Sequence, residues 1–427
     1  MSKPLDYFTY QAQNLTTSGA DLSQIAEEYG TPAYVYSEAG LLEPVRGLTQ
    51  GLTGWDPLIC YAVKSSSNVT LLRRLAEAGA GMDIVSGGEL YRCGKAGVPG
   101  RKIVFSGVGK TRTEIAEALQ FGPNGIYSFH VESGPELEAI GEVAHAMGKR
   151  APIAFRYNPN IAIKSHPYIS TGLRKDKFGL PEKELLALVE KFRDHPGLYF
   201  KGVSIHIGSQ ILTLAPLRDA FARTIDLVAK LDARLPEPVT YVDVGGGLGI
   251  TYKNEKHPKI SEYCALIKKS FGKLRKSRNL QIVMEPGRLI SGNAGLLLSR
   301  VLYRKPGHGK DFLIVDAAMN DLIRPSLYES HHEIVPVRKK PGTKQTTFDV
   351  VGPVCESGDF IAQNRKLPDS LQAGDLVAIL SAGAYGFSMA SNYNSRPRAC
   401  EVLIADTGRP QLIRRRETYD ELIAPEL

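Results

Sequence analysis

From about residue 57 the chain alternates short apolar, β-branched runs with helical stretches. This alternation limits the architectures open to it more than any other feature. The runs fall at 59–63, 82–85, 103–105, 126–129, 153–157, 203–207, 241–244 and 282–284. Between them, 68–79 carries Val69, Leu72, Leu75 and Ala76 at helical spacing and ends on a glycine. Thr111-x-x-Glu114 and Ser133-x-x-Glu136 are capping-box starts. Pro181 suits a first helical turn ahead of Leu185, Leu186 and Val189. Strands alternating with helices in this way predict an α/β fold, a TIM-like β/α barrel. A doubly wound open sheet is the competitor, because counting strands does not prove closure.

After about residue 292 the texture changes. Runs at 296–303, 312–315, 346–351, 376–380, 401–404 and 411–414 read as strands separated by Pro306-Gly307, Pro341-Gly342, Ala373-Gly374-Asp375 and Gly408, with little helical periodicity. The barrel is therefore expected over 32–291, followed by a mostly antiparallel β domain over 292–427. A chain of 427 residues is long enough for two cores.

Other features exclude whole classes of function. The net charge of +8 is modest for this length, and the main basic run, residues 414–416, is short, so nucleic acid is not the expected partner. No run approaches the length of a membrane span, and residues 1–10 lack a basic segment followed by an apolar one. The five cysteines, Cys60, Cys93, Cys264, Cys355 and Cys400, are scattered and form no CxxC pair, so no metal is expected. Reduced thiols in a cytoplasmic protein account for them.

The stretch YVDVGGGLGI (241–250) runs from a strand into Gly245-Gly246-Gly247. Glycines after a strand let backbone N–H groups approach a phosphate closely, though three glycines also occur in plain turns. No Lys-Ser or Lys-Thr follows, which rules out a Walker loop, and a dinucleotide fingerprint fits poorly. In a β/α barrel the chemistry sits at the C-terminal strand ends. Those ends carry Lys64, Asp83 with Ser86, Ser106, His130, Arg156 with Asn158, His206 with Ser209, the triple glycine, and Glu285 with Arg288. Each has a bland reading: Lys64 reaching water, His206 as a core histidine, Glu285 paired with Arg288. Their convergence on one rim favours a site. Pyridoxal phosphate needs a lysine amine for its Schiff base, a phosphate cradle and often an acid at the pyridine nitrogen. Lys64, the glycines and Glu285 supply these, and His206 could lie flat against the ring.

The sequence resembles the fold type III pyridoxal-phosphate-dependent decarboxylases. The resemblance rests on YAVKSSSN (61–68), HPYISTG (166–172), KFGL (177–180), HIGSQI (206–211), DVGGGLGI (243–250), EPGR (285–288), DLIRPSLY (321–328), GPVCESGD (352–359) and GAYGFSMASNYN (383–394), in the family's order. HIGSQ and CESGD point to the branch that acts on diaminopimelate; YESHHEIVPV (328–337) departs slightly from the usual aromatic-rich form.

The resemblance implies that Lys64 carries the cofactor covalently, His206 stacks on its ring and Glu285 binds its nitrogen. It implies that Ser209, Gly245, Gly246, Gly247 and the backbone of Glu285, Pro286, Gly287 and Arg288 hold the phosphate, with Tyr385. Arg288, Arg324 and Tyr328 would bind the substrate's distal carboxylate, with Tyr385 close by, and Glu356 would bind its ammonium. Cys355 would be the catalytic acid. The N-terminal segment, 1–31, would join the β domain, and two chains would share their sites as a homodimer. The implied reaction is decarboxylation of meso-2,6-diaminopimelate to L-lysine and CO₂, the last step of lysine biosynthesis. Alternatives are a decarboxylase of ornithine, arginine or carboxynorspermidine, and a non-catalytic homologue. Alanine racemase is weaker, because CESGD has no job there. Two arginines argue against diamine-type substrates, since a distal carboxylate needs cationic partners.

Overall fold

The computed structural model describes residues 5–162 and 177–427, so HPYISTG (166–172) lies outside the described residues and KFGL (177–180) within them. The chain divides into two compact units.

One unit, Pro44–Gly249 with His257–Leu289, holds the alternating pattern. Its parallel strands are β1 (Leu58–Ala62), β2 (Gly81–Ile84), β3 (Ile103–Phe105), β4 (Ser128–Val131), β5 (Ala151–Tyr157), β6 (Leu198–Ile205), β7 (Tyr241–Asp243) and β8 (Gln281–Met284). β8 pairs with β1 through Val283–Leu58 and Met284–Ile59, which closes the barrel and excludes the open sheet. Leu58, Cys60, Val104, Ala154, Tyr241 and Val283, from β1, β3, β5, β7 and β8, pack into one buried cluster. Gly202 on β6 makes room for it: a Cβ there would stand 2.6 Å from the Tyr241 ring. Removing these apolar groups from water is the main force holding the strands in register.

The helix starts follow local chemistry. Asn68 accepts the Thr70 N–H at the head of Val69–Glu77, and Thr111 and Glu114 form a reciprocal capping box on Arg112–Gln120. The second expected box is only half made. Ser133 accepts the Glu136 N–H, but the Glu136 carboxylate turns to the Lys110 ammonium at 2.6 Å.

The other unit gathers the described part of Met1–Glu43, Ile250–Lys256 and Ile290–Leu427. Its main sheet runs in the order Phe360–Pro368, Gln345–Val351, Asp311–Val315, Gly295–Lys305, Ala33–Ser37, Cys400–Ile404, Pro410–Arg414. Leu376–Ile379 also pairs with Gly295–Lys305, and with Ile334–Pro336. Most pairings are antiparallel, as the turn spacing predicts; Ala33–Ser37 with Cys400–Ile404, and Asp311–Val315 with Gln345–Val351, are parallel. Relative to cuts at 32 and 291, the strand Ala33–Ser37 and the segment Ile250–Lys256 go with the sheet. The strand does so because all five of its residues are buried between two sheet neighbours. Phe360–Pro368 is a strand that periodicity does not reveal. It is an edge strand carrying Asn364-Arg365-Lys366, and its register breaks against Phe348 and Val350. Near the N-terminus, Phe8, Leu15, Leu22 and Ile25 share a core with Val35, Leu296, Leu298 and Val402.

Candidate active site

The C-terminal ends of β1 and β2 bring an amine to a buried acid. Lys64 sits in the single turn Val63–Ser65 directly after β1, and its Nζ donates to Asp83 Oδ2 at 2.9 Å. Asp83, on β2, is fully buried. Burial raises its pKa, the Glu285 carboxylate raises it further, and the Lys64 ammonium opposes both.

At the end of β8, Glu285 is the centre of a buried hydrogen-bonded set. Ser106, after β3, donates to Glu285 Oε1 at 3.1 Å, and His130 Nδ1, on β4, lies 3.1 Å from the same oxygen. His130 Nε2 meets the Tyr241 hydroxyl at 3.2 Å and stands 3.8 Å from Asp243 Oδ2. Burial alone would raise the Glu285 pKa. The hydrogen bond and charge of His130, with the Lys64 charge, outweigh it and hold the carboxyl well below the usual range. Asp243 moves the other way, pushed well up by burial and by the Glu285 charge. Two neighbouring carboxyls are thus pushed in opposite directions, Asp243 toward its protonated form and Glu285 toward its ionised form. His130, Asp243 and Glu285 each bring a ligand-type atom within 4.8 Å of the others. Their mutual contacts account for the cluster without a metal.

The triple glycine is shaped by its neighbours. A Cβ on Gly245 would collide with the Ile205 carbonyl, on Gly246 with the Glu285 carbonyl, and on Gly247 with the Gly208 carbonyl. Gly245 and Gly247 also have φ of +71° and +90°, a region that side chains disfavour. The loop therefore lies directly on the backbone after β6 and β8. Gly245 N–H donates to Asp243 Oδ1 at 2.7 Å and Gly246 N–H to His206 Nδ1 at 3.2 Å. Those two donors are committed within the protein. Among the described residues this leaves Gly247, the least buried of the three, to offer its N–H to a ligand.

The bond from Gly246 also sets the state of His206. A nitrogen that accepts carries no proton, and burial, then the Arg156 charge, push the imidazole down to about 3, so it is neutral. Arg288 donates through Nε and Nη2 to Ser209 Oγ, at 3.1 and 2.9 Å. The Ala62 N–H donates to the Pro286 carbonyl at 3.1 Å, which ties the Glu285–Arg288 loop to the strand end carrying Lys64.

Two of the expected strand-end residues have local jobs. Ser86 caps the helix Gly87–Ala96, and Asn158 holds its own loop through the Phe178 carbonyl and the Asn160 N–H. A buried network was not read from the sequence. Lys110 binds Glu136, and Glu132 accepts from Arg156 Nη1 at 2.7 Å, from Gly107 N–H at 2.9 Å and from Gly179 N–H at 3.1 Å. Its one sequence signal, a Glu directly after a strand, is shared with many surface loops.

The remaining candidates lie in the sheet unit. Arg324 is buried; its Nη1 donates to Tyr252 Oη at 2.9 Å and its Nη2 to Ser330 Oγ at 3.2 Å. Buried His332, with Nδ1 2.9 Å from the Leu380 carbonyl, lies against it. Tyr328 is half-buried at the end of the same short helix, Arg324–Tyr328. Cys355 and Glu356 are exposed. Their loop is pinned by Asp359, which accepts the Val354 and Met319 N–H groups at 2.7 Å each, and by Asn394, which accepts the Cys355 N–H at 2.9 Å. Tyr385 is half-buried with φ of +56°.

The barrel mouth thus offers an amine, an ionised buried carboxylate, a neutral imidazole and a glycine cradle with no room for a Cβ. That donor set suits a cationic heteroaromatic ring with an anionic tail. Comparison with known proteins gives the same picture. The family model for the pyridoxal binding domain of pyridoxal-dependent decarboxylases matches residues 47–292. The diaminopimelate decarboxylase of Pseudomonas aeruginosa is 46% identical over 422 residues, 99% of this chain and 99% of its own length. That of Aquifex aeolicus is 44% identical, covering 99% of this chain and 97% of its own. The crystal structure of diaminopimelate decarboxylase from M. jannaschii in co-complex with L-lysine matches with a TM-score of 0.92 at 36% identity, covering 100% of this chain and 99% of that one.

Proposed function

The chain belongs to the pyridoxal-dependent decarboxylases, and from that premise we propose that it converts meso-2,6-diaminopimelate to L-lysine and CO₂, the last step of lysine biosynthesis. The observation that carries the reading is the meeting of Lys64, ionised Glu285, neutral His206 and the glycine loop at one barrel mouth. Pyridoxal 5′-phosphate, when bound, supplies a sink for the electrons released as the substrate's carboxylate leaves. Lys64 would anchor the cofactor through its amine. Glu285 would hold a proton on the ring nitrogen, which an ionised carboxylate favours and a protonated one does not. A neutral His206 adds no positive charge next to that nitrogen. Ser209, the glycine loop, the backbone of Glu285–Arg288 and Tyr385 would hold the phosphate, with Gly247 N–H as the donor from the triple.

We assign the substrate's far carboxylate to Arg288, Arg324 and Tyr328, with Tyr385 close by, and its far ammonium to Glu356. Cys355 would return a proton to the reacting carbon. These roles rest on the segments EPGR, DLIRPSLY, CESGD and GAYGFSMASNYN. We further infer a homodimer with shared sites: Cys355 and Glu356 are exposed on the single chain, as groups meant for a partner's site would be. Among the described residues no helix is long and apolar enough to cross a membrane. We place the enzyme in the cytoplasm, in keeping with five unpaired cysteines.

The test is CO₂ release, with cofactor added, from meso-diaminopimelate, ornithine, arginine and lysine. Substrates lacking the far carboxylate offer Arg288 and Arg324 no anion, so kcat/KM should favour diaminopimelate by at least about a thousandfold. Equal or better use of any of the other three would overturn the substrate and leave the family standing.

A further inference from the structure

The carboxylate expected to govern the cofactor ring is gripped from behind by groups that have no assigned role. Ser106 Oγ and His130 Nδ1 both reach Glu285 Oε1, each at 3.1 Å, and lie 3.2 Å from each other. Glu285 Oε2 is left on the other side, 4.0 Å from His206 Nδ1. Behind the imidazole, Nε2 meets Tyr241 Oη at 3.2 Å and faces Asp243 Oδ2 at 3.8 Å. Ser106, His130, Tyr241, Asp243 and Glu285 are all buried. An ionised carboxylate has no hydrogen to offer, so the proton between Glu285 and His130 sits on Nδ1. The Tyr241 hydroxyl can serve Nε2 as donor or acceptor, so Nδ1 remains the donor to Glu285 in either charge state of the ring.

We propose that His130 is a positioning residue for the decarboxylation: its Nδ1–H occupies Oε1 of Glu285, keeps that carboxylate ionised, and leaves Oε2 to accept the N–H of a protonated cofactor ring. The proposal rests on the functional reading above. Its logic is competition for one proton. A buried ion pair between ring nitrogen and carboxylate persists only where further hydrogen bonds satisfy the carboxylate. Without the Nδ1–H, Glu285 becomes more basic, the proton passes from the ring to Glu285, and a neutral pyridine is a poorer electron sink.

The test loads wild type, His130→Phe and His130→Asn with pyridoxal 5′-phosphate labelled with ¹⁵N in the ring. It reads the ring-nitrogen shift by NMR, cofactor affinity by absorbance titration, and steady-state kinetics on diaminopimelate. Wild type should show a pyridinium signal. In His130→Phe the signal should move toward unprotonated pyridine, with kcat down at least about a hundredfold and KM changed less than about threefold. His130→Asn, whose amide nitrogen is carried on Cγ as Nδ1 is and can donate to Oε1, should keep the pyridinium signal and recover at least about tenfold in kcat over the Phe variant. A merely structural role predicts no such rescue of the nitrogen signal. If circular dichroism shows that His130→Phe does not fold, His130→Leu decides, since its side chain has no N–H to donate. Pyridinium unchanged in the folded Phe or Leu variant overturns the inference. A wild type that binds no cofactor overturns the functional reading, and this inference with it.

Discussion

The Gly246 backbone N–H donates to Nδ1 of His206 at 3.2 Å, so the phosphate-loop candidate also sets the protonation of the ring-stacking candidate. An unfolded imidazole takes up a proton below about 6.5, whereas this one, buried, does so only near 3. Between those values the unfolded state binds more protons. Stability from this group is therefore complete above 6.5 and is lost as pH falls, by about 1.4 kcal/mol per pH unit. His206→Gln in the cofactor-free protein should flatten the stability–pH curve between pH 4 and 6, measured by urea unfolding. Parallel curves for the two proteins would show that His206 titrates normally.

Lys64 should carry the cofactor. Its Nζ is held on Asp83 at the rim of the barrel, where a covalent anchor is needed. Borohydride reduction of the loaded enzyme, digestion and mass spectrometry should find the pyridoxyl group on the Lys64 peptide. Lys64→Ala should lose turnover by several orders of magnitude, because covalent catalysis loses its amine. An adduct on another lysine would reassign the role.

The glycines make a graded prediction. Gly246→Ala drives a Cβ into the Glu285 carbonyl, and should destabilise the protein by about 1–3 kcal/mol and weaken cofactor binding. Gly272→Ala, in the helix Ile260–Ser277 with nothing within 4 Å of its Cβ, should instead stabilise by up to about 1 kcal/mol. Thermal melts of both variants check the contrast. Equal effects would mean that the close packing of the Gly246 loop is not what requires glycine.

Arg324 should act through its fork as well as its charge. Nη1 and Nη2 are already aimed by Tyr252 and Ser330. Arg324→Lys keeps the charge but cannot make two parallel bonds, so KM for diaminopimelate should rise at least about tenfold. The absorbance spectrum of the bound cofactor should stay as in wild type. An unchanged KM would remove Arg324 from the substrate site.

If the site is shared between two chains, complementation follows. Lys64→Ala and Cys355→Ala should each be nearly inactive as homodimers. After mixing and subunit exchange some activity should return, because one of the two mixed sites has both residues. A mixture as inactive as its parents, with exchange shown by mass-tagged subunits, would place the site within one chain.

Much of this protein is legible in the order of its residues. Alternating β-branched runs and helical stretches announce β1 to β8, because each element must bury one face and the two periodicities differ. Lys64, His206, the triple glycine and Glu285 could be picked out by standing where strands end. Other facts belong to the tertiary structure alone. Closure depends on the pairing of Val283 with Leu58, which no local pattern specifies. The Phe360–Pro368 edge strand is hidden because its polar residues follow solvent and not a buried face. Ser106 and Glu285 are 179 residues apart in the chain and meet only because the barrel closes. That meeting, with His130 beside it, decides which buried carboxyl is ionised, since charge in an interior is set by what surrounds a group in space and not by its neighbours in sequence.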